Sequence, residues 1–316
     1  MTELTLAIDV GGTKIAAGLV DANGRLVHSA RQPTPDGDAE QVWAVVDALV
    51  ADALAEAGRT VRGVGIGSAG PIDLAAGTVS PINIPAWRGF PLRDRVAAAV
   101  HAAVHAAGRT TEQDAVPVRL AGDGLCMALG ERWRGAGRGA PFLLGMVVST
   151  GIGGGLVLDG APYDGRTGNA GHVGHVVVDV DGPPCACGGH GCVEAIAAGP
   201  RMARWARDHG WSAGPEDGAK ELADAAAAGH PVALRAFRRS ARAIAAAIAS
   251  VAAVCDLDLV VIGGGVAKSG PLLFDPLRDA LARHARLDYL HDLRVVPAEL
   301  GGDAGLVGAA ALVDKS

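Results

Sequence analysis

The stretch between residues 168 and 194, GNAGHVGHVVVDVDGPPCACGGHGCVE, concentrates side chains that bind metal ions. Cys185, Cys187 and Cys192 lie within eight residues of one another and are three of the five cysteines in the chain. Three thiolates and one imidazole are a common ligand set for a structural zinc ion. Spacing alone leaves three histidines as candidates for the fourth ligand. They are His172, His175 and His190.

Three glycine-rich turns follow apolar segments that we predict to be strands: DVGGTK at 9–14, STGIGGG at 149–155 and IGGGVAKSG at 262–270. Glycine lets the backbone turn tightly and bring its N–H groups up to phosphate oxygens. None of the three turns has the spacing of a Walker A loop or of a dinucleotide fingerprint. Together they predict a nucleotide site of another kind. Its predicted residues are Asp9, Gly11, Gly12, Thr13, Lys14, Thr150, Gly151, Gly153, Gly154, Gly264 and Gly265.

Two aspartates follow predicted strands and lie beside glycines. Asp9 precedes Gly-Gly, and its carboxylate is suited to orient Mg²⁺ on nucleotide phosphates, because hard cations prefer oxygen ligands. Asp123 lies between two glycines, which leaves its carboxylate accessible to accept a proton from a hydroxyl. A second interpretation of Asp123, as the N-cap of the following helix, is equally open on the residues alone.

The composition narrows the class of protein. The 316 residues are 49% hydrophobic and 20% charged, which is typical of a globular chain, and the formal net charge of −6 gives no basic surface for nucleic acid. The segment 1–12 reads as a strand instead of a secretory signal, so we expect a cytoplasmic protein with reduced thiols. The longest apolar run, Ala243–Cys255, is too short to span a bilayer and predicts a buried helix.

The order of predicted elements indicates an α/β fold built from two related halves. LTLAIDV at 4–10 predicts a buried strand, and Asn23-Gly24 predicts a hairpin turn after the next one. A similar strand, glycine turn and returning strand recur at 141–160. Near-continuous apolar strands alternating with helices predict a mostly buried sheet. VPVRLAGDG at 116–124 predicts another strand, followed by a helix from about Leu125 to Trp133. We place the hinge between the halves near 121–124.

At this point the motifs together resemble the ROK family of sugar kinases, and the resemblance covers nearly the whole chain. AIDVGGTK and VVSTGIGGG are similar to the two phosphate loops of that family, and VVIGGG to its adenosine loop. PINIPAW at 81–87 resembles the sugar-contacting region, and AGDG at 121–124 falls where the family has ENDA with the catalytic aspartate. The zinc signature, GH followed by CxCGxxGCxE, is matched from Gly174 to Glu194.

The resemblance implies a two-lobed, actin-like ATPase fold of the ribonuclease H type. It implies a small lobe over 1–121, a larger lobe over 122–302 with the zinc motif, and a C-terminal helix over about 303–316 that packs back on the first lobe. ATP with Mg²⁺ would lie in the cleft, where Asp123 takes the proton from the sugar 6-hydroxyl. Zn²⁺ would be structural, with the ligands His175, Cys185, Cys187 and Cys192. The implied sugar-binding residues are Asn83, Gly122, Asp123, His172, His175 and Glu194.

Two positions depart from the usual glucokinase pattern of the family. Gly122 stands where an asparagine normally precedes the catalytic aspartate, and His172 stands where a glutamate is usual. These departures leave the hexose open between glucose and an N-acyl or amino hexose such as N-acetylmannosamine. A non-catalytic sugar-binding protein is the remaining alternative. By analogy with the family we expect a homodimer or homotetramer, with no nucleic-acid or membrane partner.

Overall fold

The computed structural model of the protein describes residues 3–58, 60–106, 116–214 and 216–314. Within these ranges the chain forms two five-stranded mixed sheets, a small two-stranded ribbon and nine α-helices. The helices are α1 Ala39–Glu56, α2 Leu92–Ala106, α3 Asp123–Arg134, α4 Val193–Ala197, α5 Gly199–Asp208, α6 Ala219–Ala227, α7 Pro231–Cys255, α8 Pro271–His284 and α9 Ala304–Asp314.

The two large sheets have the same topology. The strands of the first sheet are β1 Thr5–Val10, β2 Lys14–Val20, β3 Leu26–Pro33, β4 Gly63–Ser68 and β7 Val118–Gly122, and β5 Ile72–Asp73 pairs with β6 Thr78–Val79 as the separate ribbon. The strands of the second sheet are β8 Leu143–Val148, β9 Ile152–Leu158, β10 Ala161–Tyr163, β11 Leu259–Gly263 and β12 Arg294–Pro297.

In each sheet an antiparallel meander of three strands continues into two parallel strands, in the orders β3-β2-β1-β4-β7 and β10-β9-β8-β11-β12. The repeated half predicted from the sequence is therefore confirmed. The hairpin predicted at Asn23-Gly24 is the β2–β3 connection, where Gly24 has a φ of +75°.

Alternation along the strands places side chains in separate cores. Leu6, Ile8 and Val10 pack with α1 and α2 on the outer face of the first sheet, while Ala7 points to the opposite face. There α3 and α9 lie between the two sheets, and α5–α8 cover the far face of the second sheet. The central strands of both sheets are thus buried on both faces, as their apolar sequences predict, whereas the edge strands β3 and β10 are largely exposed.

The helices confirm several predictions and correct one. The apolar run Ala243–Cys255 forms the second half of α7 and faces the core with its small side chains. No described helix combines the length and apolar character that crossing a bilayer requires. The helix expected from about Leu125 instead begins at Asp123, directly after β7, because Gly122 supplies the N-cap position. The expected C-terminal helix is described as far as Asp314, and residues 315–316 lie outside the described residues.

Candidate functional site

Two carboxylates meet at the carboxyl ends of neighbouring parallel strands. Asp9 near the end of β1 is in register with Gly67 of β4, which in turn pairs with Ala121 of β7. Asp123 follows two residues later, as the first residue of α3. Ligands bind in α/β sheets at such carboxyl edges, so this edge is the natural position for a reaction centre.

The surroundings of the two carboxylates raise both of their pKa values. Burial, followed by the charge of Asp123, raises the pKa of Asp9 to about 6, although Lys14 and Arg31 act in the opposite direction. Solvent reaches Asp123 from the cleft, but protein surrounds its carboxylate on the other sides, and this loss of hydration raises its pKa. The N–H of Gly124 lies 2.7 Å from that carboxylate and opposes the shift.

The structure does not support the interpretation of Asp123 as the N-cap of α3. Gly122 holds the N-cap position without a side-chain hydrogen bond, and Asp123 is already helical. Its carboxylate accepts a hydrogen bond from the N–H of the adjacent Gly124 instead of capping the next turn. The carboxylate therefore remains available at the surface of the cleft.

The first glycine turn, between β1 and β2, is tight. The N–H of Gly11 donates to the carbonyl of Lys14 over 3.0 Å, and the Thr34 hydroxyl donates to the carbonyl of Gly11 over 2.7 Å. A Cβ on Gly12 would lie 2.4 Å from the Cβ of Asn83, so only glycine allows Asn83 to approach. The predicted sugar residue Asn83 thus lies directly against the predicted phosphate turn.

The second and third glycine turns meet at the carboxyl ends of β8 and β11, which are parallel neighbours. Gly264 has a φ of +96°, and a Cβ there would lie 2.4 Å from the carbonyl oxygen of Val148. The N–H of Val266 donates to the same carbonyl over 3.0 Å. The turn that starts at Ser149 closes with a hydrogen bond to the carbonyl of Gly151 over 2.9 Å. Both turns therefore have a fixed backbone shape.

A cavity of about 830 Å³ opens between these two turns and helices α5, α6, α7 and α8. Its wall is mostly apolar, with Ala203, Ala223 and Phe237 among the residues that line it. Arg207 and Lys220 add positive charge. An apolar slot with a few charged groups next to two glycine turns has the shape and chemistry that bind a nucleoside and its phosphates.

The side chains of His175, Cys185, Cys187 and Cys192 form a compact cluster. Their ligand atoms all lie within 4.8 Å of one another. The Sγ atoms of Cys187 and Cys192 are 3.8 Å apart, and the Nδ1 of His175 lies 3.7 Å from the Sγ of Cys185. Zn–S bonds of about 2.3 Å in a tetrahedron require ligand separations of about 3.8 Å, so the spacing of this cluster fits zinc.

The structure selects among the three histidines. His175 belongs to the cluster through Nδ1, which leaves Nε2 on the other side of the ring. His190 is exposed in the turn between Cys187 and Cys192. His172 is also exposed and lies outside the cluster, with its ring 6.5 Å from that of His175.

Glu194 connects the cysteine cluster to the second glycine turn. It is the second residue of α4, whose N-cap is Cys192. Its carboxylate accepts a hydrogen bond of 2.8 Å from the N–H of Ile152, and it lies against Gly151, where a Cβ would be 2.8 Å away. Glu194, which we expect to bind the sugar, therefore also holds the backbone of the second glycine turn in place.

His172 is oriented by a loop that the sequence did not indicate. Its Nδ1 lies 3.0 Å from the carbonyl oxygen of Asn169. The Asn169 side chain accepts from the N–H of Ile72 over 2.9 Å and donates to its carbonyl over 2.8 Å. His172 is close enough to Asp123 to act on it electrostatically, so the two side chains face the same part of the cleft.

Sequence reasoning also missed Glu131, a fully buried carboxylate on α3. It accepts hydrogen bonds from the N–H groups of Ala136, Glu299 and Leu300 over 2.9, 3.1 and 2.8 Å. The last two residues lie where the chain crosses from β12 to α9. Glutamate in a helix is ordinarily a surface residue, and nothing near position 131 in the sequence indicates partners so far along the chain.

Comparison with known proteins identifies the family to which the chain belongs. A model of the ROK family matches residues 5–316, so the chain belongs to that family. It is 35% identical to the glucokinase of Thermotoga maritima, over 98% of this chain and 97% of that protein. It is 37% identical to the N-acetylmannosamine kinase of Salmonella typhi, with the same two coverages.

Solved structures agree with this assignment. The ROK family glucokinase from Streptomyces griseus, in complex with glucose and AMPPNP, aligns with a TM-score of 0.79 at 35% identity, over 99% of this chain and all of that one. The ROK hexokinase from Thermus thermophilus aligns with a TM-score of 0.80, also at 35% identity, over 97% of this chain and 96% of that one. The expected two-lobed α/β fold of the ROK kinases is therefore confirmed.

Proposed function

We propose that this protein is an ATP-dependent hexose 6-kinase that transfers the γ-phosphate of ATP to the 6-hydroxyl of glucose or a related hexose. The observation that carries the proposal is the pair Asp9 and Asp123 at the carboxyl edge of the first sheet. The full-length similarity to glucokinases and to a glucokinase complex with an ATP analogue supports the same activity.

Asp123 is the proposed general base. Its carboxylate accepts the proton of the sugar hydroxyl as that oxygen attacks phosphorus, and its raised pKa makes it a better proton acceptor than an ordinary aspartate. Solvent access from the cleft lets a sugar reach it. The N–H of Gly124 holds the carboxylate in place during the transfer.

Asp9 is the proposed partner of Mg²⁺, which would neutralise the charge that develops on the phosphates. A largely buried carboxylate next to a second carboxylate is electrostatically unsatisfied, as the raised pKa of Asp9 records, and such a pair suits a divalent cation. The backbone N–H groups of the first two glycine turns would hold the phosphates. Lys14 lies close enough to Asp9 to add positive charge there.

The mostly apolar cavity beside Gly265 is the proposed site of the adenosine. Its position next to both turns of the second sheet would place the base against α5–α8 and the phosphates towards the first sheet. The cleft would then bring donor and acceptor together from opposite sheets. We accordingly assign 1–121 and 122–302 as the two lobes, with α9 returning to the first.

Zn²⁺ is the proposed occupant of the cysteine cluster, because three thiols and an imidazole at tetrahedral spacing suit it. Its role would be to fix His175 and, through α4, Glu194 at the edge of the sugar site. Nε2 of His175 remains on the side of the ring away from the cysteines and would contact the sugar.

Two alternatives concern the substrate and the activity. The similarity to N-acetylmannosamine kinases favours an N-acyl hexose as the second candidate substrate. A non-catalytic sugar-binding protein is disfavoured, because both carboxylates and all three glycine turns are present. The oligomeric form we propose is a homodimer or homotetramer, to be measured by light scattering coupled to gel filtration.

The decisive experiment measures ADP release by the purified protein with ATP and Mg²⁺ against hexoses, N-acetylhexosamines and aminohexoses. We expect sugar-dependent release with at least one of them and a 6-phosphate product by NMR. Protein that contains zinc and binds sugar, yet releases no ADP with any member of the panel, would overturn the kinase assignment.

A further inference from the structure

Gly122 is a glycine that neither the backbone nor the packing requires. Its φ of −66° and ψ of 144° are extended values that any residue adopts. A Cβ at this position would meet no atom within 4 Å. By contrast, a Cβ on Gly124 would lie 2.4 Å from the carbonyl oxygen of Gly154, so that glycine is obligatory. The missing side chain at Gly122 therefore leaves open space directly before the proposed catalytic base.

The cleft near this space also holds an oriented hydrogen-bond acceptor. The carbonyl of Asn169 accepts only from a protonated nitrogen, so its 3.0 Å contact places the proton of the neutral His172 ring on Nδ1. Nε2 is then an acceptor, and it lies 3.3 Å from where a Cβ on Gly70 would be. The two hydrogen bonds between Asn169 and Ile72 fix the loop that carries the ring.

Resting on the proposed kinase function, we propose that the space at Gly122 receives an acylamino substituent of the hexose, so that N-acylated hexosamines are preferred over the parent sugars. An acetamido group is a planar amide with as many heavy atoms as an asparagine side chain, so the substrate carries the group that Gly122 lacks. Its N–H can donate to an acceptor such as Nε2 of His172, and its methyl group displaces water from the space.

A parent hexose bound in the same place would leave this space to water. Its hydroxyl reaches less far from the ring than an acetamido group, so fewer contacts form. Apolar contact of one or two carbon atoms in a pocket gives about ten- to hundredfold discrimination. We therefore expect kcat/KM for one N-acetylhexosamine to exceed that of its parent hexose by about tenfold or more.

The test is Gly122→Asn, which places a carboxamide in the space. Wild type and variant are compared on two matched pairs, glucose with N-acetylglucosamine and mannose with N-acetylmannosamine. We expect the variant to lower the ratio of kcat/KM for the N-acetylated sugar over its parent by about tenfold or more, mainly through KM. Calorimetric titration of the sugars without nucleotide measures the same preference independently of phosphoryl transfer.

Gly122→Ala is the matched control, because it adds one carbon and no amide. At this extended φ the variant should fold, because a Cβ at this position meets no atom within 4 Å. Its effect on the substrate ratio should be smaller than that of Gly122→Asn. A larger effect of alanine would mean that backbone freedom, and not space, sets the preference.

The outcomes separate this inference from the proposed function. ADP release with a parent hexose only, or an unchanged ratio in Gly122→Asn, overturns the inference and leaves the kinase assignment intact. Absence of ADP release with every sugar overturns the kinase assignment, and calorimetry still decides whether N-acetylated sugars bind more tightly. A preference for an N-acetylated sugar that Gly122→Asn lowers by about tenfold or more supports the inference.

Discussion

At the scale of single residues, the surroundings of the two cleft aspartates suit them to different chemical roles. Asp123 faces solvent from the cleft and accepts a backbone hydrogen bond from Gly124, so it can exchange a proton with a substrate. Asp9 has more protein around it and feels the charge of Asp123. A Cβ on Gly305, in the first turn of α9, would lie 2.6 Å from its carboxylate. The rigid position of Asp9 suits cation binding and not proton transfer.

Asp123→Asn should abolish turnover and leave sugar binding nearly unchanged. The amide keeps the shape of the side chain but cannot accept the hydroxyl proton, and general-base catalysis contributes roughly 10²–10⁴-fold to rates. Steady-state ADP release measures the loss, and calorimetry without ATP measures sugar affinity. Activity equal to that of the wild type would assign the base to another residue.

Asp9→Asn should be inactive yet more stable than the wild type at pH 7. The folded-state pKa of about 6 exceeds the ordinary 3.8, so the fold favours the protonated form of Asp9. The carboxyl therefore contributes its full stabilisation only at low pH, where it is protonated. That contribution is lost as pH rises through about 4–6. We expect the variant to gain about 1–2 kcal/mol at pH 7, after allowance for partial solvent screening.

Urea unfolding at pH 7 and at pH 4 measures this difference, which should shrink at pH 4, where the wild-type carboxyl is already protonated. A variant less stable than the wild type at pH 7 would contradict the electrostatic account. The same ionisation predicts that kcat/KM of the wild type falls as pH drops below about 6, because both carboxylates must be charged.

At the scale of elements, Glu131 ties α3 to the segment that leads from the second sheet into α9. Glu131→Ala would leave three backbone N–H groups without their acceptor. Glu131 is fully buried but the residues of its three donors are partly exposed, so water replaces part of the lost bonding and we expect a loss of about 1–3 kcal/mol in urea unfolding. The control is Glu299→Ala, which removes only an exposed ion pair with Arg138 and should cost less than about 1 kcal/mol.

The cysteine cluster provides a second test at this scale. Removal of metal by a chelator should weaken sugar binding, because the segment from Cys192 to Glu194 connects the cluster to the second glycine turn. Zinc release is followed with a colorimetric indicator and sugar affinity by calorimetry. Cys187→Ser should release metal at lower chelator concentration, whereas Cys255→Ser, outside the cluster, should behave as wild type. Unchanged affinity after complete metal loss would limit the cluster to stability.

At this scale, an element can be predicted from sequence when the residues that determine it lie close together in the chain. Apolar strands and glycine turns are local features, so the repeated half and all three turns are predictable from a few residues each. The predicted start of α3 lies two residues after the observed one, because Gly122 and Gly124 disfavour a helix in isolation. Glu131 and Asn169 are unpredictable for another reason: their partners lie 168 and 97 positions away.

At the scale of the whole molecule, the proposed donor and acceptor sites lie on different sheets, so transfer requires the sheets to approach. We expect sugar together with a nonhydrolysable ATP analogue to reduce the radius of gyration in small-angle scattering more than either ligand alone. The Asp123→Asn variant should contract equally, since closing the cleft needs no proton transfer. An unchanged radius with both ligands bound would indicate a cleft that is already closed.

The layer between the two sheets consists of α3 and α9. A Cβ on Gly130 would lie 2.2 Å from the carbonyl oxygen of Ala304, and one on Gly308 only 1.5 Å from that of Cys126, so α3 and α9 touch backbone to backbone. In a mutational scan scored by activity, these glycines would therefore tolerate as little variation as Asp123. Such a scan would class these glycines with the catalytic residues, although their role is to let the two halves of the site lie close together.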